Sequence, residues 1–277
     1  MPILAYLGPE GTFSSYAARQ YAGKMSPGPL NLRSYPTIMA IFEALAAGEA
    51  EFGLVPIENS IEGSVPVTLD LLAENHSINI QGEMCLPIVH NLLTRAASFA
   101  EITKVYSHPQ ALAQCRTFLA KNLNQADLVP TNSTAEAAWL ISQGDTHLAA
   151  IGPRECASYY RLPVLAADIA DYSNNETRFL LLGKEKNPSP SCAKTSLVLE
   201  LKEDRPGGLY EVLGLFAREK INLCRIESRP NKSALGKYRF FIDCEAGAAH
   251  PGLQRVLAEL SSITASYRNL GSYSSLG

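Results

Sequence analysis

The sequence predicts an α/β protein of two lobes around a central cleft, followed by a smaller α+β domain. Three observations lead there. Short apolar strands alternate with amphipathic helices from Ile3 to Leu182, the pattern of a parallel, doubly wound sheet whose ligands gather at strand carboxyl ends. That pattern runs twice, over about residues 1–80 and again over 81–164, with 165–185 returning to the first lobe. Beyond Pro188-Ser189-Pro190-Ser191, read as a linker over 186–193, the elements of 194–277 follow the order βαββαβ, an open ferredoxin-like sheet.

Composition bounds the function classes. The chain has 277 residues, net charge -3, 46% hydrophobic and 18% charged residues, an ordinary globular balance for about two domains. Lys and Arg are scattered singly, which gives no electrostatic footprint for nucleic acid or an anionic membrane. The six cysteines form no C-x-x-C pair and no metal-type spacing with histidine, so they read as reduced thiols and no metal is expected. Without a signal-like start or an apolar run of about 18 residues, the sequence predicts a cytosolic protein.

The first lobe opens with a strand at Ile3–Leu7. A glycine turn, Gly8 to Ser15, then starts a helix through Tyr16, Ala17, Ala18 and Tyr21. Free amides of a first helical turn beside the Thr12, Ser14 and Ser15 hydroxyls suit an anion, although both nucleotide-loop patterns are absent. A strand at 30–35 and a helix at 37–47, with Ile38, Ile41, Phe42 and Leu45 at helical spacing, lead to a third strand at 52–57. Past its end comes Glu58-Asn59-Ser60-Ile61-Glu62-Gly63-Ser64. Two acids, an amide and two hydroxyls exceed what a turn requires, which points to a binding site there.

Residues 78–94 read as strand interrupted at Pro87, leaving the first lobe for the second. A strand ending at Tyr106 meets Ser107-His108-Pro109-Gln110, where Ser107 and Gln110 have capping-box spacing, and Gln114 follows one helical turn later. His108 reads as a cap-side surface histidine. Ser133 to Glu136 forms a second capping box, opening the helix of Ala138, Trp139 and Ile141. The polar loop Asp171 to Arg178 then feeds the apolar run Phe179 to Leu182, a rigid place to mount a reactive group.

Four of these stretches together resemble one family, the prephenate dehydratases. They are Gly8-Pro9-Glu10-Gly11-Thr12-Phe13-Ser14, Val55 to Gly63, Ser107 to Cys115, and Asn175-Glu176-Thr177-Arg178-Phe179, in the family's order. In the tail, Arg205-Pro206-Gly207-Gly208-Leu209-Tyr210 and Glu227-Ser228-Arg229-Pro230 resemble the two effector motifs of the ACT domain fused to these enzymes. The family usually has Gly-Ala-Leu where this chain has Gly207-Gly208-Leu209.

The resemblance implies a two-lobed, periplasmic-binding-protein-like catalytic domain over 1–185 and an ACT regulatory domain over 194–277. It implies conversion of prephenate to phenylpyruvate, water and carbon dioxide without cofactor, feedback inhibition by L-phenylalanine, and self-association through ACT domains as a dimer or tetramer. It places Thr177 at the leaving hydroxyl and gives Glu58, Asn59, Ser60, Ser107 and Gln114 catalytic or positioning roles. Thr12, Ser14, Arg178 and Phe179 are expected at the substrate, with Arg178 facing a carboxylate or turned away by its strand. Gly207, Gly208, Leu209, Asn222, Leu223, Glu227, Ser228, Arg229 and Pro230 are expected at the effector. With no chorismate mutase helices before Ile3, a monofunctional enzyme is expected. Arogenate as substrate, or a non-catalytic two-lobed anion sensor, are the alternatives left open.

Overall fold

The computed structural model describes residues 1–26, 28–185, 192–232 and 236–276; most of the expected linker therefore lies outside the described residues. The first sheet is built from β1 (Ile3–Leu7), α1 (Phe13–Gln20), β2 (Asn31–Tyr35), α2 (Ile38–Ala47), β3 (Phe52–Asn59), β4 (Gly63–Ser64), α3 (Pro66–Glu74) and β5 (Asn79–Pro87). A π-helical turn, Tyr21–Met25, extends α1 beyond what periodicity indicated. β1 and β2 pair in parallel, as the alternation of strand and helix requires.

The second sheet uses β6 (Asn91–Thr94), β7 (Lys104–Ser107), α4 (Pro109–Gln114), α5 (Arg116–Asn122), β8 (Asp127–Pro130), α6 (Thr134–Gln143), β9 (Leu148–Gly152), α7 (Arg154–Tyr160) and β10 (Val164–Ala166). Its order is β10-β6-β9-β7-β8. β7 runs parallel to β8 and β9, but β6 and β10 are antiparallel, so this sheet is mixed. The reason is topological, since β6 and β10 are where the chain enters and leaves this lobe. Both faces are covered. Leu92, Ala149 and Ile151 pack with Ala111, Cys115 and Leu119 on one face, while Leu93 and Ala150 pack with Ala135, Ala138 and Cys156 on the other. Alternation along a strand puts neighbours on opposite faces, and helices on both faces leave the inner strand β9 apolar throughout.

The returning strand β11 (Glu176–Gly183) enters the first sheet between β3 and β5, giving β2-β1-β3-β11-β5 with β4 beside β3. Its residues Phe179 to Leu182 are buried. β12 (Lys194–Leu201), α8 (Gly208–Arg218), β13 (Leu223–Pro230), β14 (Tyr238–Cys244), α9 (Pro251–Ile263) and β15 (Thr264–Tyr273) complete the chain, with sheet order β13-β14-β12-β15. Leu197, Leu199, Val212, Phe216, Ile242, Leu253, Val256 and Leu260 form the core under α8 and α9. Each such side chain contributes roughly 1.5–3 kcal/mol by burial. The expected βαββαβ order is the one observed.

Compactness groups the chain differently from the sequence reading. One unit comprises Met1–Ile41, Leu54–Val65 and Cys85–Phe179; the other comprises Phe42–Gly53, Pro66–Met84 and Leu180–Gly277. Polar contacts within the second unit explain why α3 and the start of β5 group with the C-terminal elements. Asp70 accepts two hydrogen bonds from Arg229, Lys194 pairs with Glu83 at 2.5 Å, and Arg268 donates to the Leu72 and Ile78 carbonyls.

One capping expectation fails. The N-cap of α4 is His108, whose Nδ1 accepts from the Gln110 amide, and Pro109 occupies the first helical position. Ser107 is instead the last residue of β7. The helix expected to run on from there breaks at Cys115 into α4 and α5. Ser133 does cap α6, accepting from Glu136 N at 3.0 Å, while Glu136 reaches back to Asn132 N. Among the described residues, no helix is long and apolar enough to cross a membrane.

Candidate active site

A hydrogen-bond network inside the first unit joins three of the four motifs. Asn59 ends β3, and its Oδ1 accepts from the backbone amides of Ile61 and Glu62, both at 3.0 Å. This Asx-type turn fixes the orientation of the side-chain amide, because only oxygen can face those donors. Nδ2 therefore points the other way. It lies 2.8 Å from Asn175 Oδ1, 3.1 Å from the Glu176 carbonyl and 2.9 Å from Thr177 Oγ1. Two protons face three acceptors, so one proton is shared.

Asn175 carries the network onward, its Nδ2 donating to Gln114 Oε1 at 2.8 Å. Gln114 is held by its backbone as well as its side chain, since its carbonyl accepts from Asp171 N at 2.7 Å and its Nε2 donates to Glu62 Oε1 at 3.2 Å. Asp171 also caps α5 by accepting from Thr117 N. The loop expected to present the reactive group thus wraps the end of α4. Ser60 clamps the same loop: its amide donates to the Glu176 carbonyl, its hydroxyl donates to the Asn174 carbonyl, and that hydroxyl accepts from Glu176 N.

Strand alternation sorts the other residues. Successive side chains at the paired ends of β3 and β11 face opposite ways, so Asn59 meets Thr177 while Glu58 meets Arg178, with 3.7 Å between Arg178 Nη1 and Glu58 Oε2. The pair Glu58 and Arg178 therefore does not share a face with Thr177. Phe179, 1% exposed, is part of the core and offers no ring to a ligand. The Ser107 hydroxyl is fully buried and donates to the Ile151 carbonyl at 2.7 Å.

Thr12 is the N-cap of α1, accepting from Ser15 N and donating to the Pro9 carbonyl at 2.9 Å. Its hydroxyl is engaged in shaping the turn. Gly11 adopts φ +86°, and a Cβ there would stand 3.2 Å from Cys156 Sγ. Ser14 lies in the first turn of α1, beside Phe13, which packs edge-on against the His90 ring with centroids 5.5 Å apart. His90 in turn meets Gln114, so the glycine-turn motif joins the network through this ring. A cavity of about 430 Å³ bordered by Glu10, Arg19, Arg154 and Tyr159 is lined by none of the network residues Asn59, Gln114, Asn175 or Thr177.

Two members of the network have no role assigned from sequence: Asn175, although it opens the Asn175 to Phe179 motif, and His90. Asn175 carried a signal, since it stands two residues before Thr177 and so shares its face. His90 carried none, lying in the short break between β5 and β6.

In the C-terminal sheet, Gly207 takes φ +83° as N-cap of α8 and Asn222 Nδ2 donates to Glu245. Leu223 opens β13, an edge strand whose Glu227 pairs with Arg225 at 2.6 Å. Arg229 forms a two-pronged pair with Asp70 of α3, and Lys232 joins the same carboxylate at 2.9 Å. Burial raises the Asp70 pKa, but the Arg229 and Lys232 hydrogen bonds outweigh it and hold the carboxyl below its ordinary value.

A family model described as prephenate dehydratase matches residues 4–187. The chain belongs to the prephenate dehydratase family. It is 42% identical over 271 residues to the prephenate dehydratase of Methanocaldococcus jannaschii, covering 97% of this chain and 96% of that one. The structure resembles that of an Arthrobacter aurescens prephenate dehydratase solved in complex with L-Phe, with TM-score 0.89 and 37% identity over 99% of this chain and 90% of that one. It also resembles GqqA, described as a novel type of quorum quenching acylase, with TM-score 0.86 and 29% identity over 99% of this chain and 98% of that one. Among the described residues no group of three or more His, Cys, Asp or Glu side chains converges as a metal site.

Proposed function

We infer that the chain converts prephenate to phenylpyruvate, expelling water and carbon dioxide, and that Thr177 assists the departing hydroxyl. Loss of the ring carboxylate as carbon dioxide delivers its bonding electrons to the ring. The carbon–oxygen bond to the ring hydroxyl breaks, and that oxygen leaves as water once it gains a proton. Aromatisation drives the reaction, so the protein's tasks are to hold two anions in alignment and to assist a poor leaving group.

The carrying observation is the 2.9 Å contact in which Asn59 Nδ2 donates to Thr177 Oγ1. An occupied acceptor site on the threonine oxygen directs its own proton elsewhere and makes it a better donor. A threonine hydroxyl is a weak acid, so its help is a hydrogen bond that strengthens as negative charge grows on the leaving oxygen. Gln114 and Ser60 position the loop that carries Thr177. Glu58 and Arg178, paired on the opposite face, support the fold of the strand ends. The first-turn amides of α1 with Ser14 are the proposed partners for one substrate carboxylate.

For the tail we propose an ACT domain that binds L-phenylalanine near Gly207, Gly208, Leu209, Asn222, Leu223 and the Glu227 to Pro230 motif. We propose that its signal runs through the Arg229 to Asp70 ion pair into α3, which follows along the chain directly on the Glu58 to Ser64 loop. Self-association fits the edge position of β13, whose Ile226 is 46% exposed.

A cysteine nucleophile for acyl transfer would need a lowered pKa and access to its substrate. The buried thiols Cys115, Cys156 and Cys244 are pushed up to about 12 by desolvation, which leaves them unreactive.

The test is turnover of the purified protein with prephenate, following phenylpyruvate, with arogenate and an acylated amine in parallel sets and L-phenylalanine added in a fourth. Phenylpyruvate formation that falls with added L-phenylalanine supports both halves of the reading. Binding of prephenate without product would leave a sensor.

A further inference from the structure

We propose that His90 is a positioning residue for this reaction, its neutral Nε2–H tautomer closing the hydrogen-bond chain that aims Thr177. The inference rests on Thr177 acting at the leaving group. His90 lies at the break between β5 and β6, is 3% exposed, and sits in one of the two segments that cross between the sheets of the first unit. Those segments are tied together, since Ile88 N donates to the Asn175 carbonyl at 2.8 Å and Ile169 N donates to the His90 carbonyl at 2.9 Å.

The polarity of the whole chain can be read from one end. Two backbone amides fix Asn59 Oδ1 as an acceptor, so Nδ2 donates to Asn175 Oδ1. Asn175 must then present its Nδ2 to Gln114 Oε1. The atom facing His90 is therefore an oxygen, 3.0 Å from His90 Nε2, and that nitrogen must carry the proton. The opposite nitrogen, Nδ1, is buried without a hydrogen-bond partner among the described residues. Burial lowers the pKa of the ring, in keeping with a neutral imidazole.

An orphaned buried ring nitrogen is unfavourable, and leucine or phenylalanine would avoid it at a site that already packs edge-on against Phe13. What histidine adds is the single Nε2 donor to Gln114. The other tautomer would set a lone pair against the Gln114 oxygen. Turning that amide over would place two NH₂ groups, those of Gln114 and Asn175, face to face and loosen Asn175 from Asn59. Asn59 is the residue that orients the Thr177 hydroxyl. Loss of the donor at position 90 thus reaches the leaving group through three amides, without His90 touching substrate.

Two measurements test this. On uniformly ¹⁵N-labelled protein, long-range ring correlations, with the His90 signal identified by its absence in His90→Gln, should show a protonated Nε2 and a bare Nδ1; a protonated Nδ1 would overturn the proposal. In prephenate kinetics, His90→Leu should lower kcat about tenfold with KM within about twofold, and His90→Gln, whose amide nitrogen reaches the place of Nε2, should restore most of the loss. Equal kcat in the leucine and glutamine variants, or unchanged kcat in His90→Leu, would sink it. If His90→Leu fails to fold, the ring spectra decide alone. A wild-type protein without prephenate turnover would instead overturn the functional reading, leaving the tautomer result to stand or fall by itself.

Discussion

Asn59 donates its side-chain amide to the hydroxyl of Thr177, 2.9 Å away in space and 118 positions away in sequence. The bond joins the end of β3 to the start of β11, so the returning strand delivers the Thr177 hydroxyl to a partner already fixed by the Asn59 turn. Thr177→Ala should lower turnover roughly 10²-fold, and Asn59→Ala by a similar order. Because one acts through the other, the double variant should cost little more than Thr177→Ala alone. A multiplicative loss in kcat/KM would show that the two act independently.

Asn175→Ala strips two buried amides, those of Asn59 and Gln114, of a partner at once. Asn59 Nδ2 keeps the Glu176 carbonyl and Thr177, and Gln114 Oε1 keeps His90, so the cost is that of two lost hydrogen bonds, about 0.5–1.5 kcal/mol each, and chemical denaturation should show this loss of stability together with reduced turnover. An unaltered denaturation midpoint would mean that the network does not hold this loop.

Asp70→Asn replaces a carboxylate that accepts two hydrogen bonds from Arg229. The loss should be about 1–3 kcal/mol at neutral pH, and inhibition by L-phenylalanine should weaken. The folded-state pKa of Asp70 is lowered from 3.8, so its contribution is present above the unfolded-state pKa and fades as pH falls through the lower folded value. Denaturation curves of wild type and variant should therefore converge toward strongly acid pH. Curves that stay apart there, or unchanged inhibition kinetics, would remove Asp70 from the route.

Thiol chemistry offers a check on packing. Cys85 and Cys224 are exposed, while Cys115, Cys156, Cys192 and Cys244 are buried. A thiol reagent should label those two first in native protein and the remaining four only after unfolding, as followed by mass spectrometry of peptides. Fast labelling of Cys156, whose thiol donates to the Gly11 carbonyl at 2.8 Å, would contradict the close seating of that turn.

The motifs were legible because their chemistry is concentrated in short stretches. Glu58 to Ser64 announced itself as more polar than a turn needs, and Asp171 to Phe179 as a polar loop feeding a core strand. Within those stretches, however, composition could not separate neighbours. Glu58 and Asn59 look equally available in sequence, as do Thr177 and Arg178. A strand reverses its side chains at every residue, so register alone decided that Asn59 and Thr177 meet while Glu58 and Arg178 form a second pair. Ser107 shows the same limit, for its capping-box spacing with Gln110 yielded to a His108 cap once Ser107 was drawn into β7.

The sequence by itself determined the periodicity of strands and helices, the βαββαβ order of the tail and the four motifs, because each of these is a property of residues near one another in the chain. Tertiary structure decided what depends on distant residues. It set the mixed pairing of the second sheet, the grouping of α3 with the C-terminal elements, and the amide chain from Asn59 through Asn175 and Gln114 to His90. A hydrogen bond has direction and a reach of about 3 Å. Whether two polar groups separated by many residues come that close, and which of them donates, is fixed only when the strands that carry them are paired.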